Sequence, residues 1–175
     1  LIVSKDAKAE ATVSVSFTAT SSTVNHMDND VTKAIISTDA DGATIDLKDA
    51  TGVYTLQGGA GVDKLTGSAG VDTINGAGGD DIITIAAAGK GNTDVMDGGA
   101  DADVLQLSTG AHAFADDAKL KNIETIKTAS GGSEVDLSAQ TEALTITGGA
   151  GVDKVTGGEG VDTIDGAGGD DIITI

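Results

Sequence analysis

Gly58-Gly59-Ala60-Gly61-Val62-Asp63-Lys64-Leu65-Thr66 is a nine-residue motif that decides the fold of this chain. It has glycine at positions 1 and 4, aspartate at position 6 and an aliphatic residue at position 8. Repetition at such a short, fixed period predicts a solenoid, in which each copy forms one turn and one short strand. Further complete copies lie at 67–75, 76–84, 148–156, 157–165 and 166–174.

Two weaker copies extend the first run beyond a four-residue insertion, Ile85–Ala88. They occupy 89–97 and 98–106 and keep Asp94 and Asp103 at position 6. We therefore expect five stacked motifs in the first block, with a bulge after the third.

The composition of the motif suits a turn that wraps a cation. Glycine allows positive φ and close approach of the backbone, so that several carbonyl groups can point at one ion. Calcium takes six to eight oxygen ligands from carboxylates and carbonyls, and the position-6 aspartates supply the anionic ones. The aliphatic residue two places later is expected to enter a shared core. A glycine-rich solenoid without metal is the alternative interpretation.

A longer period of 90 residues lies on top of the short one. Leu56–Ile85 matches Ile146–Ile175 at 24 of 30 positions. We expect 1–14 to end a preceding unit, 15–104 to form a first unit with nonapeptides at 58–84 and 89–106, and 105–175 to form a second, truncated unit with nonapeptides at 148–174. Because the chain begins without Met or a signal peptide and stops after a nonapeptide, we also expect it to be a fragment of a longer repeat protein.

The composition and the net charge of the chain argue against several classes of function. The chain has 26 Gly, no Cys, no Pro and no Trp, and its net charge is −18. The absence of Cys excludes a disulfide framework and thiol chemistry. The acidity argues against nucleic-acid binding, and no apolar run reaches the length of a membrane span. A disordered acidic protein is the alternative for the calcium-free chain.

The segments between the nonapeptide blocks also indicate short strands. Alternating apolar residues in Ala11–Thr20 predict a half-buried strand, and Phe114–Leu120 is the one helix-like stretch. These flanks are expected to continue the solenoid; a separate small sandwich domain is the alternative. The other predicted strands are Val31–Ser37, Ala43–Leu47, Gly52–Leu56, Leu105–Leu107, Ile123–Ile126, Val135–Leu137 and Ala143–Ile146.

Other candidate chemistry is sparse. His26 and His112 are isolated and are interpreted as solvated loop residues, and Lys90, like Lys64 and Lys154, is expected to face solvent. The acidic cluster Asn25–Asp30 is either a solvated turn or an additional calcium site. No pattern of catalytic residues is evident, so we expect no enzyme active within this chain.

The nonapeptides resemble the RTX repeats of secreted bacterial proteins. Together with the Thr/Ser/Ala-rich strands, with Ala118–Ile126 and with Val135-Asp136-Leu137-Ser138-Ala139, they are most similar to RTX-containing surface-layer proteins of Gram-negative bacteria. The resemblance implies an all-β, right-handed parallel β-roll or β-solenoid with calcium-binding turns, flanked by further short stacked strands. It also implies several Ca²⁺ ions, type I secretion and an extracellular location at the bacterial cell surface.

The resemblance further implies which oxygens bind calcium. In RTX rolls two nonapeptides form one coil, so that copy n stacks on copy n+2 with the ion between them. Position 6 contributes its side chain and the other positions their carbonyls. The first set is Gly59, Gly61 and Asp63 with Gly76, Gly78 and Asp81; the second is Ser68, Gly70 and Asp72 with Gly89, Gly91 and Asp94; the third is Ala77, Gly79 and Asp81 with Gly98, Ala100 and Asp103; the fourth is Gly149, Gly151 and Asp153 with Gly166, Gly168 and Asp171; and Gly158, Gly160 and Asp162 form half a set.

Two classes of function follow from the resemblance. The first is a structural segment of a secreted cell-surface layer, which folds and self-assembles into a lattice or oligomer when calcium binds. The second is the β-roll region of an RTX adhesin, toxin or secreted enzyme whose active part lies outside this fragment. The second and third ligand sets span the insertion Ile85–Ala88, so the number of ions there is left open.

Overall fold

The computed structural model of the chain describes residues 17–19, 24–26, 33–38 and 41–175. Within these ranges every pair of neighbouring strands runs parallel. The strands are β1 Phe17–Ala19, β2 Val24–His26, β3 Lys33–Thr38, β4 Thr44–Asp46, β5 Val53–Gln57, β6 Lys64–Thr66, β7 Thr73–Gly78, β8 Ile82–Ile85, β9 Val95–Ala100, β10 Val104–Leu107, β11 Gly110–Ala113, β12 Leu120–Lys121, β13 Thr125–Lys127, β14 Ser133–Asp136, β15 Thr145–Thr147, β16 Lys154–Thr156, β17 Thr163–Asp165 and β18 Ile172–Thr174.

The strands form three sheets, and consecutive strands belong to different sheets. The first sheet has the order β1-β3-β5-β7-β9-β12, the second β2-β4-β6-β8-β10-β13-β15-β17 and the third β11-β14-β16-β18. A strand therefore pairs with the strand one coil away rather than with its neighbour in sequence. This topology is a β-solenoid, as the nonapeptide period predicts.

The core is a set of aliphatic columns, one residue per coil. In the second sheet Ile45 pairs with Leu65 and Leu65 with Ile83, and all three are completely buried. In the first sheet Leu56 pairs with Ile74 and Ile74 with Met96. Because neighbouring residues in a strand point to opposite faces, position 8 of the nonapeptide enters the core while positions 7 and 9 face outward. Burying one such side chain is worth roughly 1.5–3 kcal/mol.

The four-residue insertion leaves the stacking intact. One coil separates Leu56 from Ile74, 18 residues later, whereas the coil from Ile74 to Met96 takes 22 residues. A 3-10 turn at Lys90–Asn92 takes up the additional residues before β9 begins. Copy n therefore stacks on copy n+2 across the insertion as well as before it.

A third strand enters the coil after β10 and changes the sheets that follow. Residues 104–121 contain β10, β11 and β12, which belong to the second, third and first sheets respectively. From β13 onward the chain alternates between the second and third sheets. Consequently β5 lies in the first sheet, whereas β15, its counterpart 90 residues later, lies in the second.

The segments flanking the nonapeptides continue the solenoid. Strands β3, β4, β5, β10, β13, β14 and β15 overlap the predicted segments, and each stacks in one of the three sheets. The helix-like stretch contains a single 3-10 turn, Asp117–Lys119. Of the prediction for Ala11–Thr20, residues 17–19 are described as β1, and the rest lies outside the described residues. No helix among the described residues is long and apolar enough to span a bilayer.

Candidate metal centre

The position-6 aspartates form ladders that run from coil to coil. The Oδ1 atom of each accepts a hydrogen bond from a backbone N–H of the preceding coil. Asp63 N donates to Asp81 Oδ1 at 2.8 Å, and Asp81 N donates to Asp103 Oδ1 at 2.8 Å. The same contact joins Asp72 to Asp94 at 3.0 Å, and Asp153 to Asp171 at 2.9 Å. Every coil of the repeat region thus presents a carboxylate beside that of the next.

In four of the turns the second carboxylate oxygen is held by its own turn. The N–H of position 2 donates to Oδ2 of position 6, as from Gly59 to Asp63 at 2.9 Å. We call these closed turns; none of their residues has a positive φ. The closed turns are 58–63, 67–72, 148–153 and 157–162.

Three other turns, 76–81, 98–103 and 166–171, have a different backbone. Positions 2 and 4 have positive φ, for example 78° at Ala77 and 103° at Gly79. We call these open turns. In two of them the Oδ2 atoms of Asp81 and Asp103 are buried and have no hydrogen-bond partner. A buried oxygen without a partner is costly, so these atoms are suited to a cation.

The electrostatics of Asp81 show the same need for a positive partner. Its pKa is raised from 3.8 to about 7, chiefly by burial and also by the nearby carboxylates of Asp103, Asp63 and Asp80, while the hydrogen bond from Asp63 N lowers it. Burial also raises the pKa of Asp103. The negative charges of Glu124, Asp80 and Asp101 act in the same direction. A dense group of acids therefore lies along the open turns 76–81 and 98–103.

Close backbone approach at the first position of the open turn 76–81 leaves no room for a side chain. A Cβ atom added at Gly76 would overlap Asp81 Oδ2 and the carbonyl oxygen of Gly98. No cluster of three or more His, Cys, Asp or Glu side chains that could hold a metal occurs in the described part of the chain. An ion at these turns would therefore be held by carbonyl oxygens with one or two carboxylates, an all-oxygen donor set that suits calcium.

The structure stacks the first, third and fourth predicted ligand sets. In the first set Gly78 N donates to the carbonyl oxygen of Gly59 at 3.0 Å, and in the fourth Gly168 N donates to that of Gly149 at 3.0 Å. In the third set Ala77 pairs with Gly99, and Gly78 with Ala100. The half set of Gly158, Gly160 and Asp162 stacks on the carbonyl groups of Gln140 and Glu142.

The second predicted set is arranged differently. Asp72 and Asp94 meet, but Gly89 N donates to the carbonyl oxygen of Ala111, and Gly91 packs against Ala113 and Phe114 of the next coil. Two of the six predicted ligand residues therefore face the third sheet rather than the turn at 67–72.

Two expectations about individual side chains are wrong. Lys90 does not face solvent: its Nζ atom donates to the carbonyl oxygen of Gly70 at 2.5 Å. His112 is not a solvated loop residue, because it occupies an inward column of the third sheet opposite Val135 and is 1% exposed. Its Nε2 atom lies 2.9 Å from the carbonyl oxygen of Ser108, and burial lowers its pKa. Lys64 and Lys154 are exposed as expected. The side chain of His26 and most of Asn25–Asp30 lie outside the described residues.

Glu124 is a member of the first ladder that the nonapeptide pattern does not include. Its Oε2 atom accepts from Asp103 N at 2.7 Å, the contact that an aspartate makes elsewhere. The sequence carries a signal for it, since Glu124-Thr125-Ile126 repeats the acid and buried aliphatic spacing of Asp103-Val104-Leu105. The glycines of the nonapeptide are absent around Glu124, so the nonapeptide pattern does not identify this residue.

Comparison with known protein families finds a family model that matches the repeats. The family model of the RTX calcium-binding nonapeptide repeat matches residues 55–83, 88–111 and 145–173. Comparisons with curated proteins and with solved structures found no significant match. The matched ranges contain all the closed and open turns described above, as well as the turn at 89–94 that follows the insertion. The candidate metal centre therefore lies in repeats that match the RTX calcium-binding nonapeptide model and that fold into one parallel β-solenoid.

Proposed function

We propose that this chain is a calcium-binding structural segment of a secreted bacterial cell-surface layer protein, which folds and self-assembles when calcium binds. The observation that carries the proposal is the ladder Asp63, Asp81 and Asp103, in which two buried carboxylate oxygens have no hydrogen-bond partner. Calcium between these coils would supply the missing positive charge. It would also make folding depend on the metal, because the binding free energy then contributes to folding.

The proposed role is structural rather than catalytic. The position-6 aspartates accept hydrogen bonds from the adjacent coil, which gives them a role in stacking. The predicted ligand oxygens are mostly backbone carbonyls, which hold an ion but transfer no proton. An extracellular location suits such sites, because calcium-binding modules outside cells work at high calcium concentration.

Self-assembly is supported by the surface of the closed turns. Valine at position 5 of these turns is exposed, with 56% exposure at Val62 and 90% at Val161. The chain also carries 28 acidic against 10 basic residues. Uncompensated charge keeps molecules apart, and bound calcium reduces it. Calcium is therefore expected to promote contact between apolar turn crests of neighbouring molecules.

Light scattering during a calcium titration, followed by electron microscopy, tests the assembly. We expect oligomers or sheets that form at millimolar calcium and dissolve on addition of EGTA, whereas magnesium at equal ionic strength has little effect because it demands a small octahedral site. A calorimetric titration in parallel establishes calcium binding itself. A strictly monomeric chain at saturating calcium would favour the other role, the β-roll region of an adhesin, toxin or secreted enzyme.

A further inference from the structure

The turn pair 67–72 and 89–94 contains a positively charged side chain, that of Lys90. Lys90 Nζ donates to the carbonyl oxygen of Gly70, which the RTX pattern assigns as a calcium ligand. The Lys90 charge also acts on Asp94: burial raises the pKa of this carboxyl, and the ammonium opposes that shift. The ammonium thus joins the two turns at an oxygen that would otherwise be available to the ion of the second ligand set.

The sequence marks Lys90 as an exception among the repeats. Position 2 of the nonapeptide is a small residue in the seven other copies, and lysine occurs there only in the copy that follows the insertion. The seven small residues are Gly59, Ser68, Ala77, Gly99, Gly149, Gly158 and Ala167.

The backbone around Lys90 makes hydrogen bonds of its own. The carbonyl oxygen of Lys90 already accepts from Thr93 N and Asp94 N, both at 3.0 Å. Gly89 and Gly91 are engaged with the next coil, as described above. Calcium needs six to eight oxygens, whereas a lysine ammonium is satisfied by three acceptors. The structure shows the carbonyl oxygen of Gly70 as one of these acceptors.

We propose that Lys90 is the resident cation of the turn pair 67–72 and 89–94, so that calcium does not bind there and the two coils are joined without it. This inference rests on the proposed calcium-binding function of the other turns. It means that the chain binds one ion fewer than stacking of its nonapeptides predicts.

The test compares Lys90→Ala with Lys64→Ala, an exposed lysine at position 7 of another copy. Alanine is tolerated at position 2, since Ala77 and Ala167 occupy it. In calorimetric titrations we expect Lys90→Ala to bind one more calcium ion than the unaltered chain, and Lys64→Ala to bind the same number. Equal stoichiometry in all three proteins would overturn the proposal. If the unaltered chain binds no calcium while Lys90→Ala binds one ion, the proposed function fails and the role of Lys90 stands.

A second measurement uses the unaltered chain and does not depend on how a variant folds. Acetic anhydride modifies accessible amines, and mass spectrometry reports the extent at each lysine. At saturating calcium we expect Lys90 to be modified at least about fivefold more slowly than Lys64, because its ammonium donates to a carbonyl oxygen and is half-buried. Modification of Lys90 at the rate of Lys64 would show that calcium has displaced it, and would overturn the proposal.

Discussion

At the scale of single residues, the two oxygens of each aspartate have separate tasks. Oδ1 joins successive coils in all eight copies. Oδ2 either closes its own turn, as in Asp63, or is left without a partner, as in Asp81 and Asp103. One residue type therefore holds the stack together and also provides the site for an ion. This division explains why stacking alone does not establish where calcium binds.

Asp81 is expected to matter more for calcium than Asp63. Each accepts one backbone hydrogen bond from the preceding coil, and Asp63 accepts a second from Gly59 N of its own turn, so truncation of Asp63 removes more structural hydrogen bonds. Asp81, however, lies between two carboxylate neighbours on the ladder and belongs to two ligand sets. Calorimetric titration should show that Asp81→Ala loses about two ions and Asp63→Ala about one, as expected when a carboxylate bridges two sites. Equal losses would show that Asp81 serves a single ion.

The raised pKa of Asp81 predicts a pH dependence with a definite sign. A carboxyl that binds its proton more tightly in the folded state stabilises that state below its unfolded pKa of 3.8, and this contribution is lost as pH rises towards about 7. In EGTA, circular dichroism should therefore show more β structure at about pH 5 than at about pH 8.

Calcium must displace the same proton from Asp81. Titrations at about pH 5, where the calcium-free chain is expected to keep β structure, in buffers of different ionisation enthalpy should detect release of about one proton per molecule from this residue. Asp81→Asn is the control, because it cannot titrate, and it should show less release by that amount. Identical proton release in both proteins would contradict the assignment.

At the scale of elements, two glycines of one open turn meet different packing demands. Gly76 begins an open turn, and a side chain there would overlap both the carboxylate of Asp81 and the carbonyl oxygen of Gly98 in the next coil. At Gly78, by contrast, an added Cβ atom would have no atom nearer than 4.0 Å. The same sequence motif therefore gives one glycine position that is required and one that is permissive. The repeat pattern agrees with this ranking, because position 1 is glycine in all eight copies whereas position 3 is Gly, Ala or Glu.

This difference is testable with two alanine substitutions in one turn. Gly76→Ala should destabilise the calcium-bound protein by about 1–3 kcal/mol, the usual cost of overpacking, because the opposing atoms are backbone and a buried carboxylate. Gly78→Ala should change stability by less than about 1 kcal/mol. Chemical denaturation at saturating calcium measures both. A similar loss in the two variants would mean that Gly76 does not pack against its neighbours as described.

The element scale also shows where sequence reasoning succeeds. The nonapeptide fixes which residue enters the core and which acid lies at the turn, so Leu65, Ile74 and Ile83 were predictable as core residues. Stacking across Ile85–Ala88 was predictable because the acid and aliphatic spacing resumes at Asp94. The split between closed and open turns was not predicted, although position 5 marks it: it is valine in the four closed turns and Asp80, Ala102 or Asp170 in the open ones. Lys90 and His112 were misjudged because their partners, Gly70 and the third-sheet core, are distant in sequence.

At the scale of the whole molecule, the apolar surface buried in the narrow core is too small to offset the repulsion among the acidic residues. The columns contain single aliphatic residues with few aromatics, and the net charge is −18. Two like charges about 4 Å apart repel by about 4 kcal/mol at an effective dielectric of 20. Several stacked aspartates therefore oppose folding unless a cation lies between them. The third sheet could not be predicted at this scale, because the 90-residue match does not show that β11 adds a strand to one coil.

We expect the chain to be largely disordered at neutral pH without calcium and to fold when calcium is added. Circular dichroism in EGTA, followed by millimolar calcium, measures the change; magnesium and sodium at equal ionic strength are the controls, since charge screening alone should not restore the fold. A β-rich spectrum that EGTA leaves unchanged would mean that the hydrogen-bonded ladders are sufficient on their own.

The change of sheets after β10 bears on how genes for such chains can change in length. Leu56–Ile85 and Ile146–Ile175 are close enough in sequence for their coding segments to recombine, which would add or remove 90 residues. β5 and β15 lie in different sheets, but they precede corresponding turns, 58–63 and 148–153. Each of the two strands carries one buried aliphatic residue. A recombined chain keeps the nonapeptide phase and can stack on whichever face comes next. We therefore expect arrays of this kind to keep their stacking when a whole 90-residue unit is added or removed.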